Sequence, residues 1–251
     1  AAGRVVSAPA GASQRVLAQT RFEAMSMLRN GEQFLVSILL PLLSLIILTY
    51  SPFPDLAEPR IDVVAPGVLS LAVVSMAFTG QAIATAFDRR YGVLRLLGVT
   101  PLGRGGLIVA KTFAVVVFYV LQLVVLGGIA LAMGWRPELS GVPPLLLTIV
   151  IGVLCFVALA MLVAGTLRAE AVLAVANLLW VLFLGLGLVL PTGSLPGPLG
   201  TIAAWLPSGL LGDAARAASL DGAWPWTQWL LLLIWGAAAG LLARRLFRWS
   251  D

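Results

Sequence analysis

The chain of 251 residues is 60% hydrophobic and only 11% charged, with a net charge of +5 and a mean hydropathy of +1.02. Because soluble domains carry about 25% charged residues, this composition excludes an ordinary soluble domain and predicts a membrane protein. The single cysteine, Cys155, excludes an intrachain disulfide. The lack of histidine removes the commonest metal ligand and general base, so we expect neither a metal site nor a catalytic residue.

Six stretches are long and apolar enough to span a membrane, which takes about 20 mostly apolar residues. In chain order they are 34–50, 64–87, 107–133, 144–167, 171–190 and 226–242. We therefore predict an all-α membrane protein with six transmembrane helices in a single domain, residues 1–251. That domain consists of a tail with an amphipathic helix (1–33), the six-span bundle (34–245) and a short tail (246–251).

The segment before the first span, residues 13–30, has the spacing of an amphipathic helix. Leu17, Phe22 and Met25 fall on one side of this helix, whereas polar residues such as Glu23 fall on the other. We expect it to lie in the interface at the cytoplasmic face of the membrane.

The segment before the last span, residues 191–225, is rich in Gly and Pro but too apolar for a free loop. It contains two short helical stretches, 199–206 and 209–218, with a break at Pro207. We predict an external re-entrant helical hairpin, which requires that protein cover its backbone.

The positive charges are distributed unequally between the two sides of the predicted bundle. With the N-terminus in the cytoplasm, most of the basic residues fall in cytoplasmic segments, and only Arg60, Arg136 and Arg216 fall outside. This bias predicts that both termini are cytoplasmic. It also explains the net charge without nucleic acid, and the preference for Arg over Lys favours a bacterial plasma membrane protein.

Residues 105–112, Gly-Gly-Leu-Ile-Val-Ala-Lys-Thr, differ from a phosphate-binding loop only at Ala110. Such a loop needs a preceding strand and free backbone amides, whereas these residues lead directly into an apolar span. We therefore expect no nucleotide site here and interpret Lys111 as a side chain that snorkels to the headgroups.

The loop after the second span has the most informative pattern. A basic amphipathic helix is predicted over residues 88–97, and it ends before Pro101 because the residue that precedes a proline is pushed out of the helical region. One interpretation is that it docks on a partner protein through Leu94 and Leu97. The other is that its charges meet anionic headgroups, and residue chemistry alone does not favour either. The basic residues concerned are Arg89, Arg90 and Arg95.

Few polar residues lie within the predicted spans. Gln81, Gln122 and Asn177 are the candidates for a substrate path, although such residues more often join helices to one another. The spans contain no charge at mid-depth, which is unusual for an ion-coupled transporter.

The loop resembles that of the permease subunits of type-2 ATP-binding-cassette exporters, in particular the daunorubicin-resistance group of bacterial drug-efflux permeases. Members often show E-R-E-x-G-T-L-E-x-L-x-x-T-P-L and then a Gly-Lys pair. The residues that match are Asp88, Arg89, Gly92, Leu94, Leu97, Thr100, Pro101, Leu102 and Lys111. The residues that depart from the pattern are Arg90, Val93, Arg95 and Ala110. The resemblance extends to Leu-Pro-Ser at 206–208 and to Asp213 and Arg216, before the last span.

This resemblance implies a permease that binds no cofactor itself and works with a cytoplasmic ATPase dimer, which holds ATP and Mg. It also implies a second permease, identical or related, and outward movement of an amphipathic drug, lipid or glycolipid. The residues that it implies for contact with the ATPase are Arg21, Glu23, Asp88, Arg89, Arg90, Gly92, Arg95, Thr100 and Pro101. The alternatives are an ion-coupled secondary transporter or channel, and a membrane scaffold that transports nothing.

Overall fold

The computed structural model describes residues 10–29, 31–53, 55–57, 59–98 and 100–247. All regular secondary structure in these residues is helical, as the sequence predicts. The α-helices are α1 (Ala12–Arg29), α2 (Gly31–Tyr50), α3 (Arg60–Val73), α4 (Gln81–Arg90), α5 (Val93–Gly98), α6 (Gly103–Ala132), α7 (Val142–Thr166), α8 (Ala169–Phe183), α9 (Pro198–Trp205), α10 (Pro207–Asp221) and α11 (Trp226–Leu246).

Five helical stretches in the described residues are long and apolar enough to cross a membrane. They are Arg60–Arg90, Gly105–Ala132, Leu139–Thr166, Ala169–Leu188 and Trp226–Leu246. They coincide within a few residues with the second to sixth predicted spans, which are thus confirmed as helices that are long and apolar enough to cross a membrane. The first predicted span falls in α2, where Ser37–Tyr50 is a shorter apolar helix, so the count of six stays a prediction.

The centre of the bundle is the stretch from α3 to α4, which a π-helical segment, Val74–Gly80, joins into one continuous helix. Its side chains are the most deeply buried of the five stretches. Phe78 contacts Phe156 of α7 and Phe183 at the end of α8, with ring centroids 6.3 and 5.7 Å apart in edge-to-face geometry. Trp180 of α8 donates to the Ser75 hydroxyl at 2.8 Å, so α7 and α8 are both fixed against this central helix.

Several helix ends meet at one end of the bundle, which we call the basic end. Arg89 of α4 reaches the last turn of α7, and Arg90 pairs with Glu170 in the first turn of α8. Lys111, near the start of α6, pairs with Asp88 of α4. The basic end therefore holds the ends of α4 and α7 together with the beginnings of α6 and α8.

At the opposite end, α8 terminates in a π-helical turn, Leu184–Leu188, in which Gly187 has φ +83°. Helices α9 and α10 follow, separated by Leu206, whose backbone is extended. The break arises because Pro207 occupies the first position of α10, where a proline costs no hydrogen bond. The two predicted short helices are confirmed, and their placement as a re-entrant hairpin in the membrane stays a prediction.

Arg216 of α10 satisfies the open end of α8. Its guanidinium donates to the carbonyls of residues 187–190, with the contacts to Gly187 at 2.8 Å and Leu188 at 3.1 Å, and it pairs with Asp213 at 2.7 Å. Burial lowers the pKa of the Arg216 guanidinium, and the Asp213 carboxylate opposes that shift. Because the last carbonyls of a helix lack partners within that helix, Arg216 stabilises the point where α8 is broken.

The prediction of a single helix over residues 88–97 is wrong, because α4 and α5 share these residues. Helix α4 continues from the membrane-crossing stretch and ends at Arg90, and Gly92 in the turn that follows has φ +75°. This left-handed conformation is accessible to glycine because it has no Cβ, and it turns the chain into α5, a separate helix of six residues. Asp88 and Arg89 thus belong to the end of a long helix and not to a projecting one.

Candidate functional site

Three helices meet at a cluster of charged side chains, Glu23, Asp88 and Lys111, of which Lys111 is buried and the two acids are partly exposed. Lys111 is only 2% exposed. Its ammonium lies 3.1 Å from Glu23 Oε2 of α1 and 3.0 Å from Asp88 Oδ2 of α4. The interpretation of Lys111 as a snorkelling side chain is therefore wrong, because two carboxylates pair with its ammonium inside the protein.

The cluster fixes the position of α1 on the bundle. A buried charge is tolerated only when it is paired and hydrogen-bonded, and α1 supplies one of the two carboxylates that pair with Lys111. Gln19, one turn earlier, donates to Glu23 Oε1 at 2.9 Å and holds that carboxylate in place. Arg15 adds a contact near the other end of α1, where it donates to the carbonyl of Pro101 in the loop after α5.

The two faces of α1 have opposite roles. Thr20 is buried against the bundle, on the side that carries the contacts of Arg15 and Glu23. The apolar side chains predicted for the interface face outwards, since Leu17 and Phe22 are 69% and 68% exposed. The amphipathic division of this helix therefore agrees with its sequence, and its polar face binds protein.

The Arg89 side chain points into the protein and not outwards towards a partner. It is 3% exposed and donates to the Ala164 carbonyl at 2.7 Å and to the Leu167 carbonyl. A cation at a helix C-terminus complements the partial negative charge there. The Arg89 side chain therefore closes the end of α7.

Exposed side chains of the basic end surround the cluster. Arg21 is exposed on α1, and Arg90 is half-exposed in its pair with Glu170. Thr100 and Pro101 are exposed in the loop that leads to α6, and Gly92 makes the turn before α5. The side chains of Arg95 and Leu97 lie outside the described residues.

The apolar anchor predicted at Leu94 is wrong, because this side chain is 1% exposed and packs inwards. Its neighbours face outwards instead: Tyr91 is 72% and Leu96 is 71% exposed. Large apolar side chains that lie together on a protein surface mark sites of interaction. The turn and α5 thus present an apolar contact beside the loop that Arg15 ties to α1.

The family model described as ABC-2 type transporter matches residues 14–220, which contain α1, the cluster and all of α10. The chain belongs to the ABC-2 type transporter family. It is therefore a multi-pass membrane protein and the permease subunit of an ABC transporter, a class that works with a cytoplasmic ABC ATPase. No curated protein matches the chain significantly.

In this ABC-2 permease, the stretch that resembles a phosphate-binding loop is helical. Residues 105–112 form the first turns of α6, so most of their amides bond to carbonyls of the same helix. A phosphate-binding loop needs these amides free. Lys111 is also committed to two carboxylates, as described above.

The three candidates for a substrate path differ in burial and in hydrogen-bond partners. Gln81 is buried at the start of α4 and its Oε1 has no hydrogen-bond partner among the described residues. Gln122 donates to the Ser37 carbonyl at 2.9 Å, which joins α6 to α2. Asn177 is exposed on α8 and donates to the Leu173 carbonyl of its own helix. Of the three, Gln122 thus acts as a link between helices.

Proposed function

We propose that this permease is one half of an ATP-driven exporter of the daunorubicin-resistance group, with six spans in the bacterial plasma membrane. It moves an amphipathic drug, lipid or glycolipid outwards, and a cytoplasmic ATPase dimer that holds ATP and Mg drives it. Both termini lie in the cytoplasm under this proposal, which the concentration of Arg and Lys at the basic end supports.

The cluster of Glu23, Asp88 and Lys111 is the observation that carries the proposal. It joins the surface helix α1 to α4 and α6, two helices that continue into membrane-crossing stretches. A force on α1 or on the loop after α5 is therefore passed to both helices. Coupling between ATP hydrolysis and transport requires such a connection between the two sites.

The ATPase contact that we propose consists of α1 around Arg21, the turn at Gly92, and the exposed residues Tyr91, Leu96, Thr100 and Pro101. Leu96 and Tyr91 provide apolar anchors, and central apolar anchors usually dominate the affinity of an interface. The residues behind this surface, Glu23, Asp88 and Arg89, have their charges compensated inside the permease. They act by fixing α1 and α4 and not by touching the ATPase.

A capture experiment tests this proposal. The tagged permease is purified from its own host in mild detergent, and the proteins that accompany it are identified by mass spectrometry. We expect a stoichiometric ATPase with a phosphate-binding loop. Leu96→Glu is expected to weaken its capture at least tenfold, since a buried leucine contributes about 1.5–3 kcal/mol. Leu139→Glu, at an 86% exposed leucine of the opposite end, serves as the matched control.

Two results contradict the proposal. One is a permease that is purified intact, repeatedly and without any ATPase. The other is equal capture by the Leu96→Glu and Leu139→Glu variants, which rules out the surface even if an ATPase is present.

A second permease, identical or related, completes the pathway in this proposal. Asn177 supports it, because a polar side chain on an exposed, otherwise apolar face of α8 is better placed against protein than against lipid. For an identical partner, we expect disulfide-linked dimers of Asn177→Cys in oxidised membranes. Leu230→Cys, at an exposed site of α11, should give none, and equal yields from the two variants would contradict the contact.

A further inference from the structure

A cavity of about 690 Å³ lies at the basic end between α6, α7 and α11. Its walls come from residues 105–112 of α6, 154–161 of α7 and 240–247 at the end of α11. Each wall extends for about 10 Å along its helix, given a rise of about 1.5 Å per residue. The volume falls within the range of about 300–1,000 Å³ that is typical of ligand sites.

The lining of this cavity is apolar apart from a few side chains. Arg244 lines it, is exposed, and forms no ion pair with any residue that the structure describes. Thr85 is 1% exposed, and its hydroxyl has no hydrogen-bond partner in the described part of the chain. Lys111 also lines the cavity, but it is already paired with the carboxylates of Glu23 and Asp88. The cavity thus offers one uncompensated cation and one buried hydroxyl without a partner.

We propose that this cavity binds one anionic phospholipid from the leaflet at the basic end. An acyl chain lies between α6, α7 and α11, and the lipid phosphate accepts hydrogen bonds from the Arg244 guanidinium, whose planar shape matches phosphate oxygens. The Thr85 hydroxyl donates to an ester carbonyl of the same lipid, which removes the cost of leaving a buried hydroxyl unpaired.

Charge decides which lipid is selected. Acyl chains are as apolar as the leucine and valine side chains of the wall, so an acyl chain gains little free energy when it moves from the bilayer into the cavity. The headgroup must therefore supply the preference, and a basic side chain near a membrane surface favours an anionic lipid by about fivefold. No exposed residue of the proposed ATPase contact and no candidate for a substrate path lines the cavity, although Lys111 of the cluster does.

Photo-crosslinking in nanodiscs tests the site directly. The permease is reconstituted in nanodiscs of unlabelled phosphatidylcholine. A small fraction of a probe lipid with a diazirine in its acyl chain is added, and this probe is either phosphatidylglycerol or phosphatidylcholine. Labelled peptides are then mapped by mass spectrometry. We expect phosphatidylglycerol to label the peptides of the three walls about fivefold more than phosphatidylcholine does. At the exposed part of α11 around Leu230 it should label no more than phosphatidylcholine does.

Two pairs of variants make the test specific. Arg244→Gln should abolish the preference for phosphatidylglycerol, whereas Arg245→Gln, which removes the same charge from a residue that does not line the cavity, should retain it. Gly240→Leu should reduce wall labelling by both lipids, because an added side chain there meets no atom within 4 Å and extends into free space. Gly128→Leu adds the same side chain at an open site of α6 outside the cavity and should change nothing.

The proposal is overturned if the two lipids label the walls equally in the unmodified protein. It is also overturned if Gly240→Leu and Gly128→Leu give the same labelling, or if Arg245→Gln removes the preference as fully as Arg244→Gln does. Arg244 is exposed, so its variant keeps the test decisive if Gly240→Leu does not fold.

Discussion

Replacement of Lys111 by methionine tests whether the cluster holds α1 on the bundle. The change removes the cation and leaves Glu23 and Asp88 facing each other. Each carboxylate oxygen lies within 3.1 Å of the ammonium, so the two oxygens are separated by at most the sum of these distances, about 6 Å. At an effective dielectric constant of about 20, two unit charges at about 6 Å repel each other by about 3 kcal/mol.

Solvent reduces this repulsion, because the Asp88 side chain is 32% exposed. We therefore expect α1 to lose about 2 kcal/mol of its docking free energy. Local opening then becomes about 30-fold more frequent, which amide hydrogen exchange measures segment by segment. Peptides of α1 should exchange about 30-fold faster in the Lys111→Met permease, whereas those of α10 at the opposite end should keep their rates.

The double variant Glu23→Gln/Lys111→Met separates electrostatics from packing. It removes the pair of like charges while it keeps the length of both side chains, so most of the protection of α1 should return. The reasoning is refuted if Lys111→Met leaves the exchange of α1 unchanged. It is equally refuted if the double variant exchanges as fast as the single one.

Two further predictions use matched pairs of variants and thermal unfolding in one detergent. Arg89→Met removes the charged donor from the last carbonyls of α7 and should lower the free energy of unfolding by about 2–4 kcal/mol. Arg90→Met loses only an exposed ion pair and should lower it by less than about 1 kcal/mol. Equal losses from the two variants would contradict the role of Arg89. Gly187→Ala should lower Tm clearly, because φ is +83° and the added Cβ would lie 2.7 Å from the Gly209 Cα. Gly185→Ala should leave Tm unchanged, because the added Cβ meets no atom within 4 Å. An unchanged Tm for Gly187→Ala would contradict the close contact.

The sequence predicts the membrane-crossing helices well because the thickness of the bilayer dictates their length and composition. Each of the five stretches from Arg60 to Leu246 agrees with its predicted counterpart within a few residues. The break before Pro207 is predictable for a similar reason, since proline acts on its own backbone and on the residue before it. These signals are local and need no knowledge of which helices are neighbours.

The sequence does not predict the cluster at Lys111, because its three members are brought together only by the packing of α1, α4 and α6. The charges themselves are visible, but a lone lysine at a helix end has the same sequence pattern whether it snorkels or pairs. The inward direction of Leu94 and the burial of Arg89 escape prediction for a related reason. The turn at Gly92 rotates α5 relative to α4, so the helical spacing of residues 88–97 no longer defines one face.

The Arg216 contacts impose an order on the assembly of the protein during synthesis. Arg216 follows Leu188, one of the carbonyls to which it donates, by 28 residues. At about 5–20 residues per second, the ribosome completes α8 a few seconds before the side chain that closes its end has been made. Until α10 arrives, the last carbonyls of α8 depend on water for hydrogen bonds. The broken end of α8 must therefore remain hydrated until α10 packs against it.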